Sequence, residues 1–374
     1  MVQGTIPKNK NNYPNRLITL ILVLFALGFA GSVSAQKAPK NTVKTNEFQA
    51  GEFVVHDVSD SHEWHLTTFG KHEVSIPLPI IIYSKNSGWH GFSSAHFNHG
   101  TASYENFRME TSGKNTGKIV ELNDQGQIVG FPFDISITKT VFGIIFSAIL
   151  LIFILLKVAR STQKRPNQAP RGLQNLLEPV IIFVRDDIAV SIIGKENSKR
   201  YVSFLLSVFF FILLNNLLGL IPLFPFGANV TGNSAVTMVM AAFTFAITSF
   251  SGKKHYWKEI FNPDVPWWLK FPIPIMPMVE FIGFLSKPIV LMIRLFANML
   301  AGHMIVIVFV ALIFITASLA NPWTGMAISP LSVGFGIFIL LMDVLISFIQ
   351  AYVFTLLSAL YFSMAIEEPQ EVKK

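Results

Sequence analysis

The sequence predicts an all-α integral membrane protein. It reads as about five membrane-crossing helices including a long tilted C-terminal hairpin, an interfacial amphipathic helix, and a small N-terminal extracytoplasmic domain. Three observations carry this reading. Hydrophobic residues make up 51% of the 374 and charged residues only 14%, against roughly 25% charged in a soluble domain. The apolar residues fall in runs too long for a globular core. The basic residues gather in loops beside those runs, which is the footprint of membrane topology. That placement turns the net charge of +7 away from nucleic acid as a partner. No cysteine occurs, which excludes disulfides, thiolate catalysis and Cys-based metal sites.

Residues 1–35 read as a cleavable signal peptide. Lys8, Lys10 and Arg16 form a basic start, Leu17 to Ala30 an apolar stretch, and Val33-Ser34-Ala35 supply small residues before Gln36. The alternative is a retained first helix. Residues 36–135 form the extracytoplasmic, periplasmic domain and hold His56, His62, His65, His72, His90, His96 and His99. His62 and His65 are spaced for one helical face and so for metal ligation. No periodic apolar helix surrounds them, so solvated or locally hydrogen-bonded histidines are the expectation. Lys118–Leu122 and Gln127–Gly130 flank Asn123-Asp124-Gln125-Gly126 and read as a hairpin.

Residues 136–368 form the membrane domain, followed by a cytoplasmic tail at 369–374. A first span runs from about Ile137 to Leu156, long enough for a ~30 Å core at ~1.5 Å per residue. In the basic loop that follows, Leu176–Ile193 is apolar but broken by Glu178, Arg185, Asp186 and Asp187. That pattern suits a helix lying in the membrane interface. Further spans are expected at about Tyr201–Leu220 and Ser234–Phe250. Loops 157–200 and 252–270 are rich in Lys and Arg, while 221–233 has neither. The basic loops are therefore cytoplasmic and the uncharged one is outside. Pro277–Ala317 and Leu331–Ala365, joined by an uncharged loop at 318–330, are nearly twice the length one crossing needs. A single long tilted hairpin is expected, returning the C-terminus to the cytoplasm.

Arg294 lies deep in the first of these stretches, thirteen residues from Phe281 and more than twenty from Ala317. An arginine at mid-membrane costs ~2.5–3.5 kcal/mol on insertion scales, so it marks function unless it snorkels. The other polar residues of that stretch are chiefly Glu280, Ser286, Lys287, Asn298 and His303, and in the next Asp343, Ser347 and Gln350. At 100° per residue Arg294 and Asn298 share a face, and His303 falls on the opposite one. Asp343 and Gln350 share a face of the second helix. Histidine and carboxylate exchange protons with water near neutrality, and a fixed cation between two half-paths blocks leakage. Glu280 stands toward the cytoplasmic end, His303 and Asp343 toward the outer half. The arrangement suits proton handling.

The run Ser286-Lys287-Pro288, then Arg294-Leu295-Phe296-Ala297-Asn298-Met299-Leu300-Ala301-Gly302-His303, closely resembles the signature of subunit a of F-type ATP synthases. Gln350-Ala351-Tyr352-Val353-Phe354-Thr355, Tyr361–Ala365, Asn215–Pro222, Glu178-Pro179 and Arg185-Asp186 extend the resemblance over roughly residues 137–368. It implies a stator subunit of the membrane sector of a bacterial rotary ATP synthase. Arg294 would face a rotating ring of c subunits, with Asn298 and Gln350 beside it and Glu280 in the cytoplasmic half-channel. Some family members carry glutamate at the position of His303 and histidine at that of Asp343, so this chain resembles the branch in which the pair is exchanged. The resemblance implies the c-ring, a b-subunit stalk and the lipid bilayer as partners, no cofactor, and nucleotide catalysis in other subunits. A proton-coupled secondary transporter would instead show internal repeats around a substrate site, and none is visible. A structural scaffold would leave Arg294, His303 and Asp343 without purpose.

Overall fold

The computed structural model describes residues 60–367, apart from 70–71, 99, 111–116, 124, 165–169, 222–223, 263–274 and 320–321. The predicted signal segment, the stretch up to residue 59 with His56, and the tail 369–374 lie outside the described residues.

Among the described residues nine short antiparallel strands precede the membrane helices: β1 (Glu63–Phe69), β2 (His72–Pro77), β3 (Pro79–Ser84), β4 (Gly88–Ser93), β5 (Ser103–Tyr104), β6 (Phe107–Met109), β7 (Ile119–Leu122), β8 (Ile128–Gly130) and β9 (Phe133–Asp134). They form sheets ordered β1-β2, β4-β3-β9 and β5-β6-β7-β8. β3 alternates strictly, burying Ile80 and Ile82 on Phe97, Phe107 and Ile119. The hairpin read from the sequence is β7–β8, with Glu121 opposite Gly130 and Leu122 opposite Ile128. Its turn closes because Asn123 Oδ1 accepts from the amides of Gln125 and Gln127, and Gly126 takes φ +75°, a conformation that favours glycine.

Three of the histidines have partners within the β-domain, while the side chains of His65, His72 and His99 lie outside the described residues. His62 Nε2 is 3.1 Å from Asp134 Oδ2, His90 Nδ1 is 2.8 Å from Glu105 Oε2, and His96 Nδ1 is 3.0 Å from the Ser93 carbonyl. Among the described residues no three His, Asp or Glu converge on a metal site.

The sheet passes into the membrane without slack. The amides of Ile135 and Ile137 donate to Ile81 and Pro79 of β3, and that of Lys139 donates to Ser61. Ser136 N donates to Asp134 Oδ1, and Thr140 N donates to Asp60 Oδ1. The last of these satisfies an amide left unpaired at a helix start.

Among the described residues five helices are long and apolar enough to cross a membrane: α1 (Lys139–Lys164), α3 (Ser198–Gly219), α4 (Ser234–Ser251), α6 (Ile275–Leu319) and α7 (Pro322–Ile366). Between α1 and α3, α2 (Leu173–Ile182) continues as a π-helical segment, Phe183–Val190, and a last turn, Ser191–Ile193. It buries Val184, Ile188 and Ala189 in the bundle core, so the predicted interfacial helix is a packed element with one polar side. After α4, α5 (Lys254–Phe261) sets Tyr256 and Ile260 against Phe284 and Ala365.

Lipid tails are as apolar as leucine, so helices in a bilayer associate through close packing and small residues. α7 shows this: Ala351, Thr355, Ser358, Ala359 and Ala365 are buried at helical spacing. The hydroxyls of Thr355 and Ser358 donate to the carbonyls of Ala351 and Phe354, so neither of the two is left without a partner. Phe362 stacks on Tyr201 of α3 at 4.9 Å.

One expectation needs correction. The joining segment 318–330 is not a loop: α7 starts at Pro322 and is helical throughout. Near its start Gly325 lies against α6, where a Cβ would stand 2.6 Å from Ala317 Cβ. α6 and α7 each have 45 residues. At ~1.5 Å per residue each is about 67 Å long, over twice a ~30 Å core, so a single crossing takes a steep tilt.

Candidate functional site

The burial pattern of α6 sets the direction of its polar residues. Leu291, Leu295 and Met299, four residues apart, form the buried seam. Arg294 and Asn298, one turn apart, are exposed on the neighbouring flank with Ala297 and Ala301. Gln350 of α7 is buried, and its Nε2 donates to the Arg294 carbonyl at 3.3 Å. It therefore ties the two helices together at the arginine's level. Among the described residues no carboxylate pairs with the Arg294 guanidinium.

On the other side of α6 His303 is half-buried against α3. A Cβ at Gly219 would stand 3.4 Å from His303 Nε2 and 3.3 Å from Met299 Cε, so the glycine makes room for the imidazole. One residue before His303, a Cβ at Gly302 would stand 2.6 Å from Asp343 Oδ1. The buried Asp343 carboxylate thus rests on the α6 backbone beside the histidine. Its Oδ2 has no hydrogen-bond partner among the described residues. Ser347 donates to the Asp343 carbonyl at 2.7 Å.

α3 adds a residue whose place the sequence did not disclose. Asn216 is fully buried, its Oδ1 accepts from the Thr231 hydroxyl, and its Nδ2 finds no partner among the described residues. A pair of asparagines inside an apolar span is the signal by which it could have been found. Thr231 comes from the loop between α3 and α4 and carries no signal of its own.

Glu280 stands near the start of α6, half-buried. The Lys287 ammonium lies 5.7 Å from the Tyr256 ring and 5.5 Å from the Tyr361 ring, a cation–π arrangement. Thr244 and Thr248 of α4 join Tyr256, Lys287 and Tyr361 around a small cavity. Polar groups therefore cluster on both sides of Arg294 along one helix. Lys287 is seven residues before it and His303 nine after, roughly 10 and 14 Å along the axis at ~1.5 Å per residue. In the α2 segment, Glu178 accepts from Gln174 at 2.9 Å. Arg185 and Asp186 pair at 2.7 and 2.8 Å. The hydrogen bond from Arg185 holds the Asp186 carboxyl below its ordinary range, although an exposed pair of this kind adds little stability.

Comparison with known proteins matches residues 141–363 to the family model of the ATP synthase A chain, and residues 53–135 to a domain of unknown function (DUF8433). The chain is 41% identical over 241 residues to ATP synthase subunit a of Chloroherpeton thalassium, covering 63% of this chain and 68% of that protein. It is 43% identical over 239 residues to ATP synthase subunit a 2 of Chlorobaculum tepidum, covering 62% and 64%. To ATP synthase subunit a of Myxococcus xanthus it is 42% identical over 240 residues, covering 62% and 74%.

Proposed function

The chain belongs to the ATP synthase A chain family, a multi-pass membrane subunit of the ATP synthase, and from that premise we propose that it conducts protons to and from a rotating ring through two offset half-channels. The ring would be built of c subunits whose carboxylates carry the protons, and the chain would be held as stator with a b-subunit stalk in the bacterial inner membrane. The observation that carries this is the disposition of polar groups about Arg294, with one cluster before it on α6, one after it, and the guanidinium on an open flank.

The chemistry follows from placement. His303 and Asp343, with Asn216 nearby, take protons from the outer side. A buried carboxylate and an imidazole relay them, each being able to hold a proton or release it. Glu280, Lys287 and the two tyrosine hydroxyls serve the cytoplasmic side. A ring carboxyl arriving protonated at Arg294 meets a fixed cation that favours its ionised form and so gives up its proton. The same charge repels a bare proton and blocks direct passage between the two clusters. Gln350 and Asn298 hold the arginine's helix and flank in place.

Arg294→Ala, made in the whole complex, is expected to abolish ATP synthesis driven by a proton gradient in membrane vesicles, with the chain still present in the membrane at its usual amount. Normal synthesis in that variant would sink the assignment.

A further inference from the structure

The β-domain has no part in the half-channel reading, yet one of its side chains is built into the outer loop. Trp64 of β1 is 3% exposed and clusters with Ala228 and Val230 of loop 221–233. Its ring meets Phe224 of that loop edge-on at 5.4 Å and Phe142 of α1 at 5.7 Å. The Lys139 ammonium caps it at 5.6 Å. Val236 of α4 and Phe211 of α3 pack on the same cluster. Trp64 is thus the wedge between the domain, the first span and the loop.

The loop leads directly to the outer polar cluster. Thr231, next to Val230, donates to Asn216. Gly227 N donates to the Leu218 carbonyl at 3.0 Å. A Cβ at Gly219 would meet the Ala228 carbonyl at 3.4 Å, the same distance as His303 Nε2. Gly143 of α1 closes the other side, where a Cβ would stand 2.7 Å from Ala228 Cβ. The backbone at Ala228 is therefore held between Trp64, α1 and the α3 glycine that makes room for His303.

We propose that the N-terminal β-domain is a collar on the outer half-channel, in which Trp64 is a positioning residue. It fixes residues 224–233 so that Thr231 and Asn216 keep the approach to His303 and Asp343 in shape. The proposal rests on the half-channel reading above. A surface domain that matches a description of unknown function thereby acquires a task in proton access, performed through packing rather than through a titrating group.

The test uses the whole complex in proteoliposomes, stripped of its catalytic sector, with passive proton flux driven by a potassium diffusion potential. Flux is recorded against outer pH at fixed inner pH, and the reverse. Trp64→Ala is expected to lower flux several-fold and to change the outer profile while leaving the inner profile as in the parent. Trp64→Phe, which keeps an aromatic wedge, is expected to restore both. Val230→Ala, a milder cut from the loop side, is expected to change the outer profile in the same direction, and it decides the matter if Trp64→Ala does not assemble. An unchanged outer profile at equal assembly overturns the collar, as does an equal change in both profiles. Arg294→Ala in vesicles that hold the complete complex, catalytic sector included, tests the underlying reading separately. If it leaves proton-driven synthesis intact, the half-channels fail. If it acts as expected while the Trp64 and Val230 variants do not, the collar alone fails.

Discussion

Asp134 shows how one side chain couples the β-domain to the membrane. Burial pushes its carboxyl up, but hydrogen bonds from His62 and Ser136 outweigh that and hold it below the ordinary carboxylate value. A group whose pKa is depressed by folding contributes stability above its unfolded value of ~3.9 and loses it as pH falls through the folded one. Asp134→Asn is therefore expected to remove part of the acid sensitivity of the β-domain below about pH 4. Hydrogen exchange on strands β3 and β9 across a pH series reads it, and identical acid sensitivity in the variant would refute the coupling. None of this was legible in the sequence. His62 and Asp134 are 72 positions apart, and among seven histidines nothing in composition or spacing singled out this one. Arg294 was legible for the opposite reason, because a charge in an apolar helix stands out without knowledge of any neighbour.

At the scale of elements, the spans were readable because apolar length is a local property. Most strands were not, since they run from two to seven residues; only the β7–β8 hairpin declared itself, through its turn residues, while β3 alternates in burial but not in the sequence Pro-Ile-Ile-Ile-Tyr-Ser. The turn between α6 and α7 misled for a physical reason. Asn321-Pro322 and an uncharged stretch look like a loop, but proline is welcome at a helix start, where its missing N–H costs nothing. Gly325 then lets the second helix begin in contact with the first. Gly325→Val would drive a side chain into Ala317 and the Ile313 carbonyl. Overpacking of this kind costs about 1–3 kcal/mol, so the detergent-solubilised complex should melt several degrees lower. An unaltered melting temperature would show that the hairpin tip is looser than its packing implies.

For the whole molecule, topology and family membership rest on signals spread along the chain. The faces of Arg294, Asn298 and His303 came from helix geometry, whereas the approach of Asp343 to Gly302 and of Thr231 to Asn216 depends on how helices and loop dock. The absence of cysteine makes orientation directly measurable. Ile128→Cys on β8 should react with a membrane-impermeant maleimide from outside intact cells. Lys254→Cys on α5 should react only after permeabilisation, and the reverse pattern would invert the assigned orientation.

The short passage from β9 into α1 has a practical consequence. The amides of Ile135, Ser136, Ile137, Lys139 and Thr140 are all engaged within the β-domain or its edge, so no swivel separates the sheet from the first span. Sheet and helix turn as one body. A rigid antibody fragment seated on the exposed Trp89 and Tyr83 of the sheet would serve as a fiducial whose angle reports the inclination of α1, turning a surface domain into a pointer for what happens inside the bilayer.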